Sequence, residues 1–235
     1  MPVVREAAGQ FGPGAYVDWR ATPLGGLTEA IEQRLILRLA GEVSDRSVLD
    51  VGCGDGALTL AFWRRGASRI VGCDIDPKMI ARARAEAVGR SAAISYVIAD
   101  GEQLPFPNES FDIVTIITVL AFVAGPAATV REIARVLKPS GQLVIGDLGR
   151  WSLWAASRRI RSWLGSESWK SARFWTAGEL RQLVHAAQLR VGRVSGAVYY
   201  PRSAALAKLM APFDPVLGEL TNLGAAFLAV QASKT

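Results

Sequence analysis

The chain is poor in cysteine and histidine, and it has no internal repeat or low-complexity tract. Its 235 residues include two cysteines and one histidine. Residues 1–10 do not resemble a signal peptide, so we expect a cytoplasmic protein in which Cys53 and Cys73 are reduced, small apolar side chains. A redox pair is the alternative. His185 falls off the apolar stripe of its predicted helix and is expected at the surface. We expect no metal site.

Long hydrophobic runs are also scarce. The longest uncharged run, residues 113–130, reaches bilayer length, but it contains Thr115, Thr118 and the Gly125-Pro126 break. It therefore predicts a buried strand, a loop and a helix start rather than a membrane span. The composition is 50% hydrophobic and 20% charged, which is typical of a folded chain, and the length fits one α/β domain.

The excess of positive charge is confined to the last third of the chain. Residues 151–235 contain 11 Lys and Arg against 4 Asp and Glu, whereas residues 1–150 contain 16 against 17. This asymmetry suggests an anionic partner or substrate near the C-terminal region. A solubilising surface is the alternative.

Apolar segments and turn signals alternate through the middle of the chain. Asp76 and Pro77 are a typical N-cap and first residue of a helix, and Thr28 is predicted to cap an earlier helix that ends at Gly41. Strands are predicted at residues 47–51, 69–73, 94–99, 111–119, 142–146, 191–200 and 225–232. Helices are predicted at residues 29–40, 57–65, 77–88, 127–137, 150–164 and 176–187.

This alternation predicts an α/β fold: a doubly wound, Rossmann-like, mostly parallel seven-stranded sheet with helices on both faces and a late antiparallel strand. Residues 1–41 are predicted to form a helical arm that covers the cofactor site. Residues 42–235 form the main domain, with substrate-facing insertions at about 150–175 and 201–224.

A glycine-rich turn follows the first predicted strand. Gly52, Gly54 and Gly56 allow positive φ and a close approach of a ligand to the backbone. Gly52, Gly54 and Ala57 also fit the looser fingerprint of nicotinamide enzymes. The turn alone therefore leaves the cofactor open.

Three acids at the carboxyl ends of strands decide between these cofactors. Asp74 follows Asp50 by 24 residues, close to the spacing at which an acid reaches a ribose. Asp100 could accept a hydrogen bond from an adenine amine. The negative charges of Asp50 and Asp55 at the edges of the turn would repel a pyrophosphate. The same charges would attract a cofactor that carries a cationic amine and a sulfonium.

Five ordered blocks carry a family resemblance. They are Val-Leu-Asp-Val-Gly-Cys-Gly-Asp-Gly (48–56), Val-Gly-Cys-Asp-Ile-Asp-Pro-Lys-Met (71–79), Ala-Asp-Gly-Glu-Gln-Leu-Pro-Phe (99–106), Ser-Phe-Asp-Ile-Val (110–114) and Arg-Glu-Ile-Ala-Arg-Val-Leu-Lys-Pro-Ser-Gly (131–141). The chain resembles the class I S-adenosylmethionine-dependent methyltransferases, in particular the small-molecule (type 11) group that includes quinone-biosynthesis enzymes. The match covers about residues 43–147.

The resemblance implies S-adenosyl-L-methionine as cofactor. Asp50 would lie near its ammonium, Asp74 would hold the ribose, and Asp100 would meet the adenine edge. Tyr16 and Trp19 match an aromatic pair that closes over the cofactor in similar proteins, with ordinary packing of the arm as the alternative. The full set of implied cofactor-binding residues is Tyr16, Trp19, Asp50, Gly52, Cys53, Gly54, Asp74, Ile75, Met79, Asp100, Gly101, Glu102, Thr118 and Val119.

The inserted regions bear on the methyl acceptor. In residues 150–164, one predicted stripe (Leu153, Ala156, Ile160, Leu164) packs inward, and another (Arg150, Trp154, Arg158, Arg161) faces a pocket rim, an anionic membrane or solvent. Five tryptophans at 151–175 favour a bulky apolar or aromatic substrate. The predicted substrate-pocket residues are Trp151, Trp154, Arg158 and Trp175.

Methyl transfer requires alignment and exclusion of water more than it requires a base. No base is assigned from the sequence; the candidates are Tyr16, Asp147, Tyr199 and Tyr200. We expect a small-molecule acceptor and no nucleic acid, because Thr118-Val119-Leu120-Ala121 stands where base-modifying relatives carry Asn-Pro-Pro-Tyr. The alternatives are a lipid or quinone precursor at a membrane surface, RNA, and a non-catalytic cofactor-binding protein.

Overall fold

The computed structural model describes residues 13–163 and 172–235, which contain one seven-stranded sheet. The strands are β1 (Ser47–Val51), β2 (Arg69–Asp74), β3 (Ser95–Ile98), β4 (Phe111–Ile117), β5 (Leu137–Leu148), β6 (Leu189–Ala197) and β7 (Phe227–Lys234). The helices are α1 (Pro13–Arg20), α2 (Pro23–Ala40), α3 (Ala57–Arg64), α4 (Pro77–Val88), α5 (Pro126–Val136), α6 (Leu153–Trp163), α7 (Ala177–Ala186), α8 (Ala204–Met210) and α9 (Asp214–Leu220). A 3-10 turn (Ala211–Phe213) joins α8 to α9.

The strand order is β3-β2-β1-β4-β5-β7-β6, with β7 antiparallel to both of its neighbours. The strands from β1 to β5 are parallel, as the buried, β-branched sequence of β4 predicts. The chain turns back between β1 and β4, and this switch opens a crevice at the carboxyl ends of the central strands. The predicted fold class is confirmed.

Each face of the sheet carries its own apolar core. On one face, Ile36 of α2 and Phe62 of α3 pack with Phe227 of β7. On the other face, Ile133 of α5 and Leu180 of α7 pack against β4 and β5. The strands therefore lie between two helical layers, and the loops that follow them meet at one edge.

The start of α2 differs from the prediction. Thr22 is the N-cap, its Oγ1 accepts from the Gly25 N–H at 3.0 Å, and Pro23 occupies the first turn. Thr28 lies inside the helix, where its hydroxyl donates to the Leu24 carbonyl at 2.8 Å. The Thr-Pro pair is the stronger start signal because proline tolerates the first turn. Gly41 ends the helix at a φ of 68°, as predicted.

The predicted faces of α6 are wrong. Leu153 and Ile160 are 64% and 57% exposed, whereas Trp154 is 3% exposed. The Trp154 indole N–H donates to the Tyr200 carbonyl at 2.7 Å, and its ring meets Trp19 and Tyr200 edge-on. The larger apolar area of tryptophan and its satisfied N–H decide which face is buried. Leu164 and the side chain of Arg161 lie outside the described part of the chain.

The uncharged run at residues 113–130 comprises most of β4, a loop and the start of α5, as predicted. Within the described ranges, no helix is both long and apolar enough to span a bilayer.

Candidate functional site

The glycine turn after β1 has an open side and a packed side. Gly52 and Gly54 adopt φ values of 70° and 56°. A Cβ on Gly52 would overlap the Val119 side chain, whereas a Cβ on Gly54 would meet no protein atom within 4 Å. Gly52 is therefore required by close packing, and Gly54 borders open space at the carboxyl edge of the sheet.

Asp74 ends β2 beside this turn. Its Oδ2 accepts from the Gly54 N–H and its Oδ1 from the Asp76 N–H, both at 2.9 Å. The side chain is half-buried, and burial raises its pKa while the two backbone N–H groups oppose that shift. Because each carboxylate oxygen has about two acceptor positions, Asp74 keeps capacity for a bidentate hydroxyl ligand.

Asp50 lies in β1, beneath the turn. It is 2% exposed, and its Oδ1 accepts from the Thr115 hydroxyl at 2.7 Å. Burial raises its pKa to about 7; the Thr115 bond opposes the shift and the negative charge of Asp74 adds to it. A cation beside Asp50 would favour the ionised carboxylate and would therefore lower this raised pKa.

The two cysteines flank the same turn as buried, free thiols. The Cys73 carbonyl accepts the N–H groups of Gly52 and Cys53 at 2.7 and 2.9 Å, which fixes the turn on β2. Burial raises the pKa of Cys73 to about 12 and also raises the pKa of Cys53. Thiols with raised pKa values are poor nucleophiles, which agrees with the expected structural role.

The loop after β3 supplies a polar rim. Asp100 is exposed, and its Oδ1 accepts from the Glu102 N–H at 2.9 Å. Glu102 instead points toward α5, where it accepts from the Gly125 N–H at 2.8 Å. After β2, the strand paired with β3, Ile75 is 65% exposed and Met79 is half-buried at the start of α4. Glu102 therefore holds the loop in place while Asp100 lies open to solvent.

Asp147 anchors the loop after β4. It is fully buried, and its two oxygens accept from the N–H groups of Ala121 and Leu148 at 3.1 and 2.7 Å. Burial raises its pKa to about 7 despite these bonds. Thr118, at the other end of the loop, has a φ of 57° and donates its N–H to Gly146. Asp147 is thus a tether, and the structure does not support it as a base facing an acceptor.

The hydroxyl groups of two further base candidates are engaged in structural hydrogen bonds. The Tyr199 hydroxyl donates to the Thr221 carbonyl, and burial raises the pKa of Tyr199 to about 12. Tyr200 is 1% exposed, shares a 3.0 Å hydrogen bond with the Thr28 hydroxyl, and has its pKa raised by burial to about 12. His185 is exposed, as predicted. The side chain of Tyr16 lies outside the described part of the chain.

The N-terminal helices contact the glycine turn directly. Arg20 forms ion pairs with Asp55 of the turn and, at 2.6 Å, with Glu29 of α2. Next to it, Trp19 packs edge-on against Trp154 with ring centroids 6.3 Å apart. Arg20 was not predicted from the sequence, since an arginine at the end of a short helix carries no local signal of its distant partner.

A cavity of about 250 Å³ lies at the carboxyl end of β5. Trp151 and Trp175 line it, together with Arg150, Asn222 and Leu223. Trp151 is 59% exposed, at the mouth of the cavity. Asn222 and Leu223 were not predicted from the sequence, and they reach this place only because β7 returns beside β5.

The four residues predicted to line the substrate pocket do not all lie at one site. Trp154 packs in the core on the α2 side of the sheet, and the Arg158 guanidinium lies 5.5 Å from its ring centre. Trp175 packs in the core on the opposite, α7 side. Trp154 and Arg158 are therefore absent from the residues that line the cavity.

This sheet order, with a glycine turn after β1 and an acid at the end of β2, defines a Rossmann-like protein that binds a nucleoside-containing cofactor. A methyltransferase-domain family model matches residues 49–145. An uncharacterized protein of Mycobacterium tuberculosis is 32% identical over 220 residues, covering 93% of this chain and 70% of that protein. A ubiquinone biosynthesis O-methyltransferase of Idiomarina loihiensis is 32% identical, covering 66% of each chain.

Solved structures share the fold. A possible histamine N-methyltransferase of Thermotoga maritima superposes with a TM-score of 0.71 at 19% identity, covering 94% of this chain and 95% of the other. Magnesium protoporphyrin IX methyltransferase of Synechocystis also reaches 0.71, at 16% identity and 99% coverage of both chains. The chain belongs to the S-adenosylmethionine-dependent methyltransferases, and S-adenosylmethionine is its cofactor.

Proposed function

We propose that the crevice above β1, β2 and β4 holds S-adenosylmethionine, with Asp74 on the ribose and Asp50 near the ammonium. The observation that carries this proposal is the Asp74 carboxylate, which is hydrogen-bonded to Gly54 yet keeps acceptor capacity on both oxygens. The open space over Gly54 fits a group that lies against the backbone. Ile75 and Met79 would flank the adenine, and Asp100 and Gly101 would meet its edge.

Other residues of the proposed site would contribute packing or backbone contacts rather than charge. Thr118 and Val119 would line the methionine arm, and Cys53 would contribute its backbone in the turn. Glu102, bonded to Gly125, would position the loop rather than bind the cofactor. Residues 1–41 would form an arm over the site, ahead of a main domain at 42–235; the Arg20–Asp55 ion pair and the Trp19 contact with α6 support this division.

When bound, S-adenosylmethionine would supply an electrophilic methyl group to a lone pair of the acceptor, with a neutral thioether as the leaving group. The side chains of Asp147, Tyr199 and Tyr200 are held by structural hydrogen bonds, so we propose that this chain accelerates transfer by alignment and water exclusion.

We propose a small apolar or aromatic acceptor that binds in the cavity lined by Trp151 and Trp175. A cavity of about 250 Å³ with indole walls favours a flat apolar group. The segment that leads to Trp175 runs beside the loop after β4 and the end of β5, because the Arg173 N–H donates to the Ala121 carbonyl and the Trp175 N–H donates to the Leu148 carbonyl. The quinone-related names of several relatives, among them a C-methyltransferase of Pseudomonas putida that is 37% identical, agree with a phenolic or quinone-like acceptor.

Calorimetric titration and a turnover assay test this function together. We expect S-adenosylmethionine and S-adenosylhomocysteine to bind with micromolar affinity and NAD not to bind. Release of S-adenosylhomocysteine should then rise with apolar phenols and quinone precursors in a panel that also contains RNA oligonucleotides and polar amines. Turnover of RNA alone would overturn the proposed acceptor while leaving the cofactor assignment intact.

Trimming the cavity mouth should weaken acceptor binding. We expect Trp151→Ala to raise KM for an apolar acceptor about tenfold, because an aromatic wall contributes roughly 1.5 kcal/mol of packing. Leu223→Ala should raise KM about threefold. Leu153→Ala is the matched control, since Leu153 is similarly exposed but does not line the cavity. Equal KM changes in Leu153→Ala and Leu223→Ala would contradict the assignment.

Binding of the cofactor should release a proton from Asp50. The raised pKa keeps Asp50 largely protonated at pH 6, and a nearby ammonium favours the ionised form. Calorimetry in buffers of different ionisation enthalpy should detect release of close to one proton at pH 6. The release should be small at pH 8.5 and absent in Asp50→Asn, with Asp76→Asn as the unaffected control. No proton release at pH 6 from the wild-type protein would contradict the placement of the ammonium.

The same shift affects stability in the absence of cofactor. The pKa of Asp50 in the folded protein exceeds its ordinary value of 3.8, so its contribution favours folding most below about pH 4 and is lost as the pH rises through about 7. A rise in pKa from 3.8 to about 7 corresponds to a loss on the order of 4 kcal/mol in the free energy of unfolding.

A further inference from the structure

A stripe of apolar side chains runs along α8, the 3-10 turn and α9 and faces solvent. Its members are Leu206, Leu209, Phe213, Val216 and Leu220, with exposed fractions of 44%, 69%, 62%, 59% and 77%. Successive members are three or four residues apart, and the backbone stays in the right-handed helical region through Met210, Ala211, Phe213 and Asp214. This spacing keeps the side chains on one side of a continuous helical segment.

The opposite side of this segment is fixed to the sheet. Both carboxylate oxygens of Asp214 accept backbone N–H groups, from Val198 at 2.9 Å and from Tyr199 at 3.0 Å. Gly218 lies so close to the Gly196 carbonyl that a Cβ would overlap it. The stripe therefore cannot turn inward while these contacts persist, and its exposure is a property of the fold.

The charges around the stripe are mainly basic. Lys208 and Arg202 are exposed at its N-terminal end, whereas Arg34 and Arg38 of α2 line a groove with Asp214 on the other side of the segment. The acids of the segment are engaged: Asp214 is buried, and Glu219 pairs with Arg38 at 3.1 Å. Symmetric pairing with a second copy would bring like charges together on chains of net charge +6.

The stripe ends next to the proposed acceptor cavity. Residues 221–223 follow α9 directly, and the exposed Leu223 lines the cavity together with Trp151. The Gly224 N–H donates to the Trp151 carbonyl at 2.9 Å, which joins the two sides of the mouth. An apolar surface and the mouth of an apolar cavity are thus continuous.

We propose that the stripe docks this protein on an anionic membrane surface. The five apolar side chains enter the interface between headgroups and acyl chains while the exposed Arg202 and Lys208 lie near the anionic headgroups. The cavity mouth then opens at the membrane, so a lipophilic acceptor passes from the bilayer to the methyl donor without crossing water. The docking is independent of the proposed acceptor; only this delivery route depends on it.

Vesicle sedimentation of the full chain tests the proposal without cofactor or acceptor. We expect binding to vesicles of phosphatidylcholine with 30% phosphatidylglycerol, at least tenfold weaker binding to phosphatidylcholine alone, and weakening by 0.5 M salt. The triple variant Leu209→Ser, Phe213→Ser, Leu220→Ser should lose at least tenfold in partitioning. Leu220→Ser alone should lose about threefold, whereas Val88→Ser, at a site 79% exposed on α4, should lose nothing.

Folding and cofactor binding are measured on every variant. Melting temperature and S-adenosylmethionine affinity should match the wild-type protein, because the substituted side chains are exposed. Failure to bind anionic vesicles, or equal binding by the triple variant, overturns the docking proposal even if the enzyme methylates apolar acceptors. A concentration-dependent dimer that the triple variant abolishes, detected by sedimentation velocity, would assign the stripe to a second copy and also overturn it.

Discussion

Replacing Asp74 by alanine is expected to weaken binding of S-adenosylmethionine at least 100-fold. The variant loses two charge-assisted hydrogen bonds to the ribose, each worth roughly 1.5–3 kcal/mol before water compensates. It also frees the Gly54 N–H, which Asp74 accepts at 2.9 Å, so the turn itself loosens. Calorimetric titration with S-adenosylmethionine and S-adenosylhomocysteine measures the effect.

Two further variants separate the ribose contact from the support of the turn. Asp74→Asn keeps one carbonyl acceptor and should recover part of the affinity. Asp76→Asn is the charge-matched control: Asp76 caps α4 by accepting from the Lys78 N–H at 2.8 Å, a bond that asparagine can also accept. Unchanged affinity in Asp74→Ala, or an equal loss in Asp76→Asn, would remove Asp74 from the ribose.

Gly54→Ala is expected to weaken cofactor binding about 100-fold while leaving the protein folded. Alanine at a φ of 56° costs about 1–2 kcal/mol of stability, but its methyl group meets no protein atom. The methyl group would instead occupy space that the proposed site assigns to the cofactor, so affinity should fall about 100-fold. A melting curve and a titration on the same preparation compare the two effects.

Gly52→Ala is the contrasting variant. Its Cβ would overlap the Val119 side chain, and the φ of 70° adds strain, so we expect a loss of stability of about 3 kcal/mol or more. Normal cofactor affinity in Gly54→Ala would show that the open side of the turn is not where the cofactor lies. Equal stability losses in both variants would contradict the two-sided description of the turn.

Features that depend on neighbouring residues could be predicted from the sequence. The bounds of β1, the Asp76 cap of α4 and the glycine turn follow from local rules of burial, capping and φ. The meeting of Asp50, Asp74 and Asp100 at one edge follows from parallel strands with alternating helices, because carboxyl ends then coincide. Ordered motif blocks identified the family for the same reason: the cofactor constrains short, contiguous segments.

The surroundings of the acceptor required the tertiary structure. Leu153 and Trp154 are neighbouring apolar residues on α6, and periodicity alone does not show which of them packs inward. Trp154 is the buried one because its indole N–H donates to the Tyr200 carbonyl, 46 residues away in the chain. Asp147 lies at the end of β5, a position from which the sequence suggested it as a base. In the structure its side chain is buried and accepts a hydrogen bond from the Ala121 N–H.

The sequence by itself determined the fold class, the cofactor and the placement of acids at the carboxyl ends of the strands, since these depend on strands and turns whose order is fixed by local pattern. Only the tertiary structure decided which tryptophans line a cavity and which fill a core, that Arg20 holds the arm to the turn, and that the stripe on α8 and α9 faces outward. Each of these depends on competition between distant segments for the same buried space, and that competition leaves no periodic signal in the chain.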